Sequence, residues 1–320
     1  MGSFLDKPIT EKHTEYGSND DFVWAVASMQ GWRASMEDSH CTLTFQSGGS
    51  NHYIFGVFDG HGGKLTAKVS AESLHKEIIK NFSIDKTEHT MVEAKKCGAA
   101  MIKSFVTFDR QTLRSLPAVQ AHSDCSGTTA NVVYILPDFL VVANAGDSRS
   151  IVGTLQKEAK EKTPAADSIA AIAMSVDHKP KDKTERDRIV AAGGHVSMNR
   201  VDGDLAVSRA LGDFIYKDPE LPSEKQKVSP VPEIRIHKRS AGDRFMVLAC
   251  DGVWDVMSNV DVAEFVASGL KMRFDVEKIA TELLDFCLRK GSRDNMTAIV
   301  ILFKSEDEAS ASEKPSGESA

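Results

Sequence analysis

The stretch Thr128-Thr129-Ala130-Asn131-Val132-Val133-Tyr134-Ile135-Leu136-Pro137-Asp138-Phe139-Leu140-Val141-Val142-Ala143-Asn144-Ala145 holds two apolar, β-type runs split by Pro137-Asp138. A Pro-Asp pair between such runs reads as a hairpin connection, which makes the two strands neighbours in an antiparallel sheet. Further β-type runs occur at Phe22–Met29, His52–Phe58, Ile169–Ser175, Phe245–Cys250 and Met296–Phe303. Helical periodicity covers Lys64–Lys80, Val92–Leu113, Lys183–Ala192, Val260–Leu270 and Val276–Arg289. In the last of these, Val276, Ile279, Ala280, Leu283, Leu284 and Cys287 follow the i, i+3, i+4 rule, and Lys290-Gly291 ends the run. Strands that arrive in consecutive pairs, not strictly alternating with helices, indicate α+β layers on antiparallel sheets instead of a doubly wound parallel sheet. The polar stretches Thr154–Asp167 and Lys217–Ser229 read as surface loops.

The chain has 320 residues, 41% of them hydrophobic and 27% charged, with a net charge of −7. A chain of this length buries about 75% of the surface that its unfolded form exposes, so a large core is available. This composition excludes a disordered, collagen-like or disulfide-framework protein. Its acidic balance argues against a general nucleic-acid binder. The five cysteines (Cys41, Cys97, Cys125, Cys250 and Cys287) include no CxxC pair, and no signal peptide precedes them. They are expected to be reduced thiols of an intracellular protein. No apolar run approaches the ~18 residues of a membrane span. Residues 305–320 carry five acids, one base and no large apolar side chain, taking −4 of the net charge and leaving −3 for the rest. Such a tail cannot offset its ordering entropy and is expected to be disordered. The expected organisation is an N-terminal segment 1–21, one domain 22–303 and an acidic tail 304–320.

Three times an apolar strand runs straight into an aspartate beside a glycine: Ile54–Phe58 into Asp59-Gly60, Val141–Ala145 into Gly146-Asp147, and Met246–Cys250 into Asp251-Gly252. Asp294-Asn295, leading into Met296–Leu302, is the mirror case. Singly, each Asp-Gly reads as a tight turn. Together they read as carboxylates delivered to one sheet end, where glycines let a ligand approach the backbone. Carboxylates meeting there would repel by ~4 kcal/mol per pair at 4 Å and an effective dielectric of 20, so the group requires cations or protons. Hard oxygen donors suit Mg²⁺ or Mn²⁺, and two ions sharing an Asp could activate water and neutralise a phosphoryl oxygen. Zinc is disfavoured because no Cys or His cluster accompanies the acids.

Two further residues could complete such a site. Arg33, in Gly31-Trp32-Arg33-Ala34-Ser35-Met36-Glu37-Asp38, suits a bidentate grip on phosphate, and equally a structural pair with Glu37. His61, in Asp59-Gly60-His61-Gly62-Gly63, could donate a proton near neutrality, although alone it reads as an ordinary loop histidine. Competing motifs fail. Gly63-Lys64 lacks the Ser/Thr and first Gly of a phosphate loop, Asp202-Gly203-Asp204 is no calcium loop, and no Gly-x-Ser-x-Gly elbow occurs.

Taken together, the blocks SMQGWRASMEDSH (28–40), FGVFDGHGG (55–63), SGTTA (126–130), NAGDSR (144–149), DHKP (177–180), ERDRIVAAGGHV (185–196), LAVSRALGDF (205–214), VLACDGVWDVM (247–257) and KGSRDNMTAIV (290–300) resemble the metal-dependent type 2C serine/threonine protein phosphatases, in that family's order. GSFLDKP (2–8) and EKH (11–13) resemble the start of the animal alpha/beta subgroup. The resemblance implies a four-layer αββα sandwich of two antiparallel sheets with helices outside. It implies hydrolysis of phosphoserine and phosphothreonine in proteins by a metal-activated water, with no covalent intermediate. Two Mn²⁺ or Mg²⁺ ions are implied at one sandwich edge: Asp59 bridging both, Asp251 and Asp294 on one, the Gly60 carbonyl on the other, and Glu37 and Asp38 in support. Asp147 matches a position that helps hold a weaker third ion, with Asp255 in the same acidic network. Arg33 is implied to hold the substrate phosphate, and His61 to protonate the leaving oxygen.

On its motif alone, Gly2 belongs to a plain flexible N-terminus, because Asp6 stands where the acylation pattern has Ser or Thr. The subgroup resemblance makes Gly2 a myristoylation candidate, with weak membrane attachment. The expectation is a monomer of the cytoplasm, with the nucleus and the membrane periphery as further locations. Its partners are phosphoproteins and not nucleic acid. Three features depart from the animal relatives: a short acidic tail where they carry a helical domain, a longer 154–167 connection, and a different Phe214–Pro232 flap. The rival readings are a catalytically silent phosphoprotein-binding scaffold on the same fold and a metal nuclease.

Overall fold

A computed structural model describes residues 4–47, 50–82, 90–156 and 168–304. Gly2, the tail 305–320 and residues 157–167 of the long connection lie outside the described residues. Among the described residues, one antiparallel sheet has six strands. Its spatial order is β1 (Phe4–Ser18), β2 (Phe22–Arg33), β11 (Met296–Phe303), β10 (Asp243–Ala249), β7 (Arg149–Gln156) and β8 (Ser168–Ala173). The second antiparallel sheet has five, in the order β9 (Glu233–Lys238), β6 (Phe139–Ala145), β5 (Ala130–Ile135), β4 (Ser50–Phe58) and β3 (Ser39–Ser47).

The strand period of two explains the layering. Phe55, Val133 and Val142 from the second sheet meet Val26, Leu248 and Ile299 from the first in one central core. Their chain neighbours face outward. Ile54, Val132 and Val141 pack under α1 (Leu65–Asn81) and α2 (Met91–Thr107). Ala27, Val247 and Val300 pack under α4 (Asn259–Lys271) and α5 (Val276–Arg289). Both faces of the central strands are therefore buried, which is why they read as unbroken apolar runs. The result is an α+β, four-layer αββα sandwich. In α5 the six periodic residues are all buried, and the Asp275 side chain caps the helix by accepting from the Lys278 amide at 2.7 Å.

Several expectations need correction. Phe4–Ser18, read as part of a flexible N-terminus, is a 15-residue edge strand. Its side chains are mostly exposed, so no apolar pattern marks it. Main-chain pairing with β2, an ion pair of Lys12 with Asp285 at 2.8 Å and a Thr14–Glu277 hydrogen bond at 2.7 Å hold it in place. Pro8 is tolerated because the strand lies at an edge. Residues 154–156 continue β7 and are not loop. The stretch 217–229 is irregular but only partly surface: Lys217, Ser223, Gln226, Val228 and Ser229 are buried. The α-helical geometry of α2 ends at Thr107 and continues as a π-helical turn, Phe108–Leu113. Strands β3, β7 and β9 carry too many polar residues or glycines to read as apolar runs. Between β8 and β9 lie α3 (Lys183–Ala191) and a flap with its own small core of Ile189, Val201, Val207, Ala210 and Val228.

Candidate metal centre and active site

The strand ends place the acids. Asp59 follows β4, Asp147 follows β6 after one glycine, Asp251 follows β10 and opens a single helical turn, and Asp294 precedes β11. Carboxylate oxygens of Asp59, Asp147 and Asp251 all lie within 4.8 Å of one another. Asp38 joins from the other side, with an oxygen within 4.8 Å of both an Asp59 oxygen and the Cys250 sulfur. Burial and the neighbouring Asp251, Asp38, Asp147 and Asp294 charges push the Asp59 carboxyl well above its ordinary range. Asp251 is raised in the same way, by burial and by Asp147, Asp294 and Asp255. Asp38 is pushed up to about 6, chiefly by burial.

The two cations at hand each pair with one member of this acidic group: Arg33 Nη2 with Asp294, and Lys179 Nζ with Asp147. Among the described residues Asp59 and Asp251 have no ion-pair partner, and the buried Oδ2 of Asp38 accepts no hydrogen bond. Burial also drives the Cys250 thiol far upward, so it is a neutral thiol and not a thiolate. What remains is a cluster of hard carboxylate oxygens with an unbalanced negative charge. This donor set of hard oxygens suits Mg²⁺ or Mn²⁺ better than zinc.

Around the cluster, Glu37 accepts from the Gly63 amide at 3.1 Å and from Ser35 Oγ at 2.7 Å. Gly60 lies against the Glu37 carbonyl, where a Cβ would collide. Arg33 is partly exposed and keeps a buried Nε without a protein partner. Its partner is Asp294, not Glu37. His61 is also partly exposed, and its Nε2 lies 2.7 Å from Asp213 Oδ2. Burial works against the imidazolium, but Asp213 outweighs it, aided by Asp147 and Glu37, and the His61 pKa is raised. Asp255 stands at the exposed rim, within electrostatic reach of Asp251 and Lys179.

The structure thus gathers Arg33, Glu37, Asp38, Asp59, Gly60, His61, Asp147, Asp251 and Asp294 at one end of the sandwich, with Asp255 beside them. Sequence reasoning missed three participants: Asp213, Lys179 and Asn295. Asn295 Nδ2 donates to the Gln30 and Ser35 carbonyls at 2.8 and 2.9 Å, and its Oδ1 accepts from the Glu37 amide at 2.9 Å. It thereby fastens the arginine-bearing loop to the start of β11. The one available signal was position: all three lie in the quoted blocks, and Asn295 directly follows Asp294. Such an assembly can bind divalent cations, grip an anionic group with Arg33 and deliver a proton from His61.

A sequence profile of the family Protein phosphatase 2C matches residues 23–296. "Protein phosphatase 2C homolog 3" of Schizosaccharomyces pombe is 38% identical over 320 residues, covering 97% of this chain and 72% of the relative. "Protein phosphatase 1A" of Mus musculus is 40% identical over 316 residues, covering 97% and 78%. Among solved structures, a serine-threonine phosphatase 2C from Toxoplasma gondii superposes with a TM-score of 0.75 at 23% identity, covering 95% of this chain and 99% of that one. That last likeness speaks for the fold alone.

Proposed function

The chain belongs to the protein phosphatase 2C family and is a metal-dependent protein serine/threonine phosphatase, and from that premise we propose a dinuclear Mn²⁺ or Mg²⁺ centre built on its strand-end aspartates. Asp59 would be shared between the ions, Asp251 and Asp294 would hold one, and the Gly60 carbonyl would hold the other, with Glu37 and Asp38 in support. Asp147 and Asp255 form the side on which a weaker third ion would bind. Bound there, the ions would supply an acidified water as nucleophile and would neutralise phosphoryl oxygens. The observation that carries this reading is the meeting of Asp59, Asp147 and Asp251 oxygens within 4.8 Å from three separate strand ends.

The remaining steps belong to the chain's own side chains. Arg33, steadied by Asp294, holds the phosphate of a phosphoserine or phosphothreonine. His61 gives a proton to the departing serine or threonine oxygen, an alkoxide that leaves poorly unprotonated. We assign this chemistry to a monomeric catalytic domain at 22–303, acting on phosphoproteins in the cytoplasm or nucleus. Acylation at Gly2 would add a weak membrane attachment. The intact mass of protein from its native cell tests that point, and an unmodified Gly2 removes the anchor.

Purified protein with Mn²⁺ should release phosphate from a phosphothreonine peptide, and EDTA should abolish the release. Asp59→Asn should remove activity. Metal-dependent turnover that survives Asp59→Asn would discard the ligand assignment. Tight phosphopeptide binding without hydrolysis in excess Mn²⁺ would make this chain a silent binder.

A further inference from the structure

We propose that Asp213 is a positioning residue that holds the His61 imidazole for proton transfer, and that Gly127 exists to let the two side chains meet; this rests on the phosphatase reading above. The Asp213 carboxylate is almost completely buried, and its Oδ2 lies 2.7 Å from His61 Nε2. With Nε2–H donated to Asp213, Nδ1 is the ring nitrogen left to carry the transferable proton. A buried carboxylate opposite the ring fixes both the tautomer and the ring plane.

The surroundings are built for that contact. Three short strand pieces, Gly60–His61, Gly127–Thr128 and Leu211–Gly212, form a small antiparallel sheet in which His61 lies opposite Gly127 and Gly127 opposite Gly212. A Cβ on Gly127 would strike both the Asp213 carboxylate and His61 Nε2. A glycine at this point of the middle strand therefore leaves the gap through which the two side chains reach each other.

Asp213 itself has left-handed backbone angles, φ 52° and ψ 40°. Aspartate visits that region more readily than most residues, yet it must be held there. Its amide donates to the Ser126 carbonyl at 3.2 Å, and its carbonyl accepts from the Tyr216 amide at 2.9 Å. On one side the Gly212 amide donates to Asp109 Oδ1 at 2.8 Å. On the other, Lys217 Nζ donates to the same oxygen at 2.8 Å and to the Ala210 carbonyl at 3.0 Å. Asp109 lies in the π-helical turn after α2, so that departure from α-helical geometry supplies the anchor for the Asp213 loop.

A comparison of leaving groups tests the proposal. A phosphothreonine peptide expels an alkoxide that needs a proton, whereas p-nitrophenyl phosphate expels a stable phenolate that does not. Asp213→Asn should lower kcat on the peptide by about 100-fold while leaving KM and p-nitrophenyl phosphate turnover within about 3-fold. Gly127→Ala should show the same selective loss, and Asp213→Asn added to His61→Gln should lower peptide turnover no further than His61→Gln alone. Equal losses on both substrates, or no loss on either, would overturn the proposal.

Heteronuclear NMR of the His61 ring in metal-free protein gives a readout independent of turnover. At a pH high enough for the ring to be neutral, a single tautomer protonated at Nε2 is expected in the wild type and a mixture in Asp213→Asn. A wild-type ring without that fixed tautomer would also overturn the proposal. Failure of the phosphatase reading would look different: the wild type would hydrolyse neither substrate.

Discussion

The backbone of Gly252 rests directly on the carbonyl of Asn295, with no room for a Cβ between them. The Ser292 hydroxyl ties the same two segments, donating to the Gly252 carbonyl at 2.6 Å. Asp251 immediately precedes this contact and Asp294 sits on its other side, so the approach of two backbones sets the separation of two carboxylates. Gly252→Ala should push the segments apart at a cost of about 1–3 kcal/mol, the usual range for overpacking. Metal-dependent turnover should fall by an order of magnitude or more, with the circular dichroism spectrum unchanged. Titration with Mn²⁺ followed by turnover checks this. Wild-type metal affinity in the variant would mean that the spacing tolerates the shift.

A second prediction follows from the crowding of charge around Asp59. Its folded-state pKa is raised, so in metal-free protein the folded state holds a proton that the unfolded chain releases above ~4. Stability is therefore lost as pH rises from that point towards the folded pKa. Asp59→Asn removes this penalty. In EDTA at pH 7.5 the variant should be more stable than wild type by at least ~1 kcal/mol, and the gap should close below pH 4. Mn²⁺ should stabilise the wild type and leave the variant nearly unchanged. Urea unfolding in the two media tests both halves.

These residues also show which parts of the molecule were legible in the chain. Strands such as β4, β5 and β10 were readable because sheet and helix cover both faces, so nearly every side chain is apolar. Asp59, Asp147 and Asp251 stood out because each follows such a run at the same place. The edge strand β1 was invisible, since backbone pairing and surface ion pairs hold it, and neither leaves an apolar period. Asp213 was invisible for another reason. Its partner His61 lies 152 residues away, and only the register of three short strand pieces brings them together. The Arg33 pairing was misjudged locally: Glu37 is near in sequence, but Asp294, 261 residues distant, takes the guanidinium.

The strut behind Asp213 yields a third prediction. The Asp109 and Lys217 side chains are only 3% and 2% exposed. Burial lifts the Asp109 carboxyl, and Lys217 offsets part of that rise. Lys217→Met leaves the carboxylate buried without its counter-charge, which should cost about 3–5 kcal/mol. Adding Asp109→Leu removes the stranded charge and should recover most of that loss, because a buried pair replaced by apolar groups is often near neutral. The double variant should nonetheless hydrolyse phosphopeptide slowly, since the Gly212 amide loses its acceptor. Urea midpoints for the single and double variants check the coupling. An additive pair of losses would mean that the two groups do not support one another.

Glu185 provides the fourth prediction, on acid stability. It sits in α3 with its side chain 3% exposed, pairs with Arg188 and with Arg209 at 2.7 Å each, and accepts from Ser208 Oγ at 2.7 Å. Burial alone would raise its pKa, but the two arginines and the serine overcome it and hold the carboxyl down to about 2. A depressed folded-state pKa stabilises the protein fully above the unfolded value, here ~4.3, and the gain disappears as pH falls through the folded value. The shift corresponds to about 3 kcal/mol. Arg188 also donates to the Gln226 carbonyl at 2.9 Å, so this cluster clamps the flap whose loop carries Asp213. Glu185→Gln should therefore cost about 3 kcal/mol at pH 6, and its stability should vary less than that of wild type between pH 4.3 and 2. Unfolding free energies across that window decide the matter. Parallel pH curves for the two proteins would show that the carboxylate carries no such linkage.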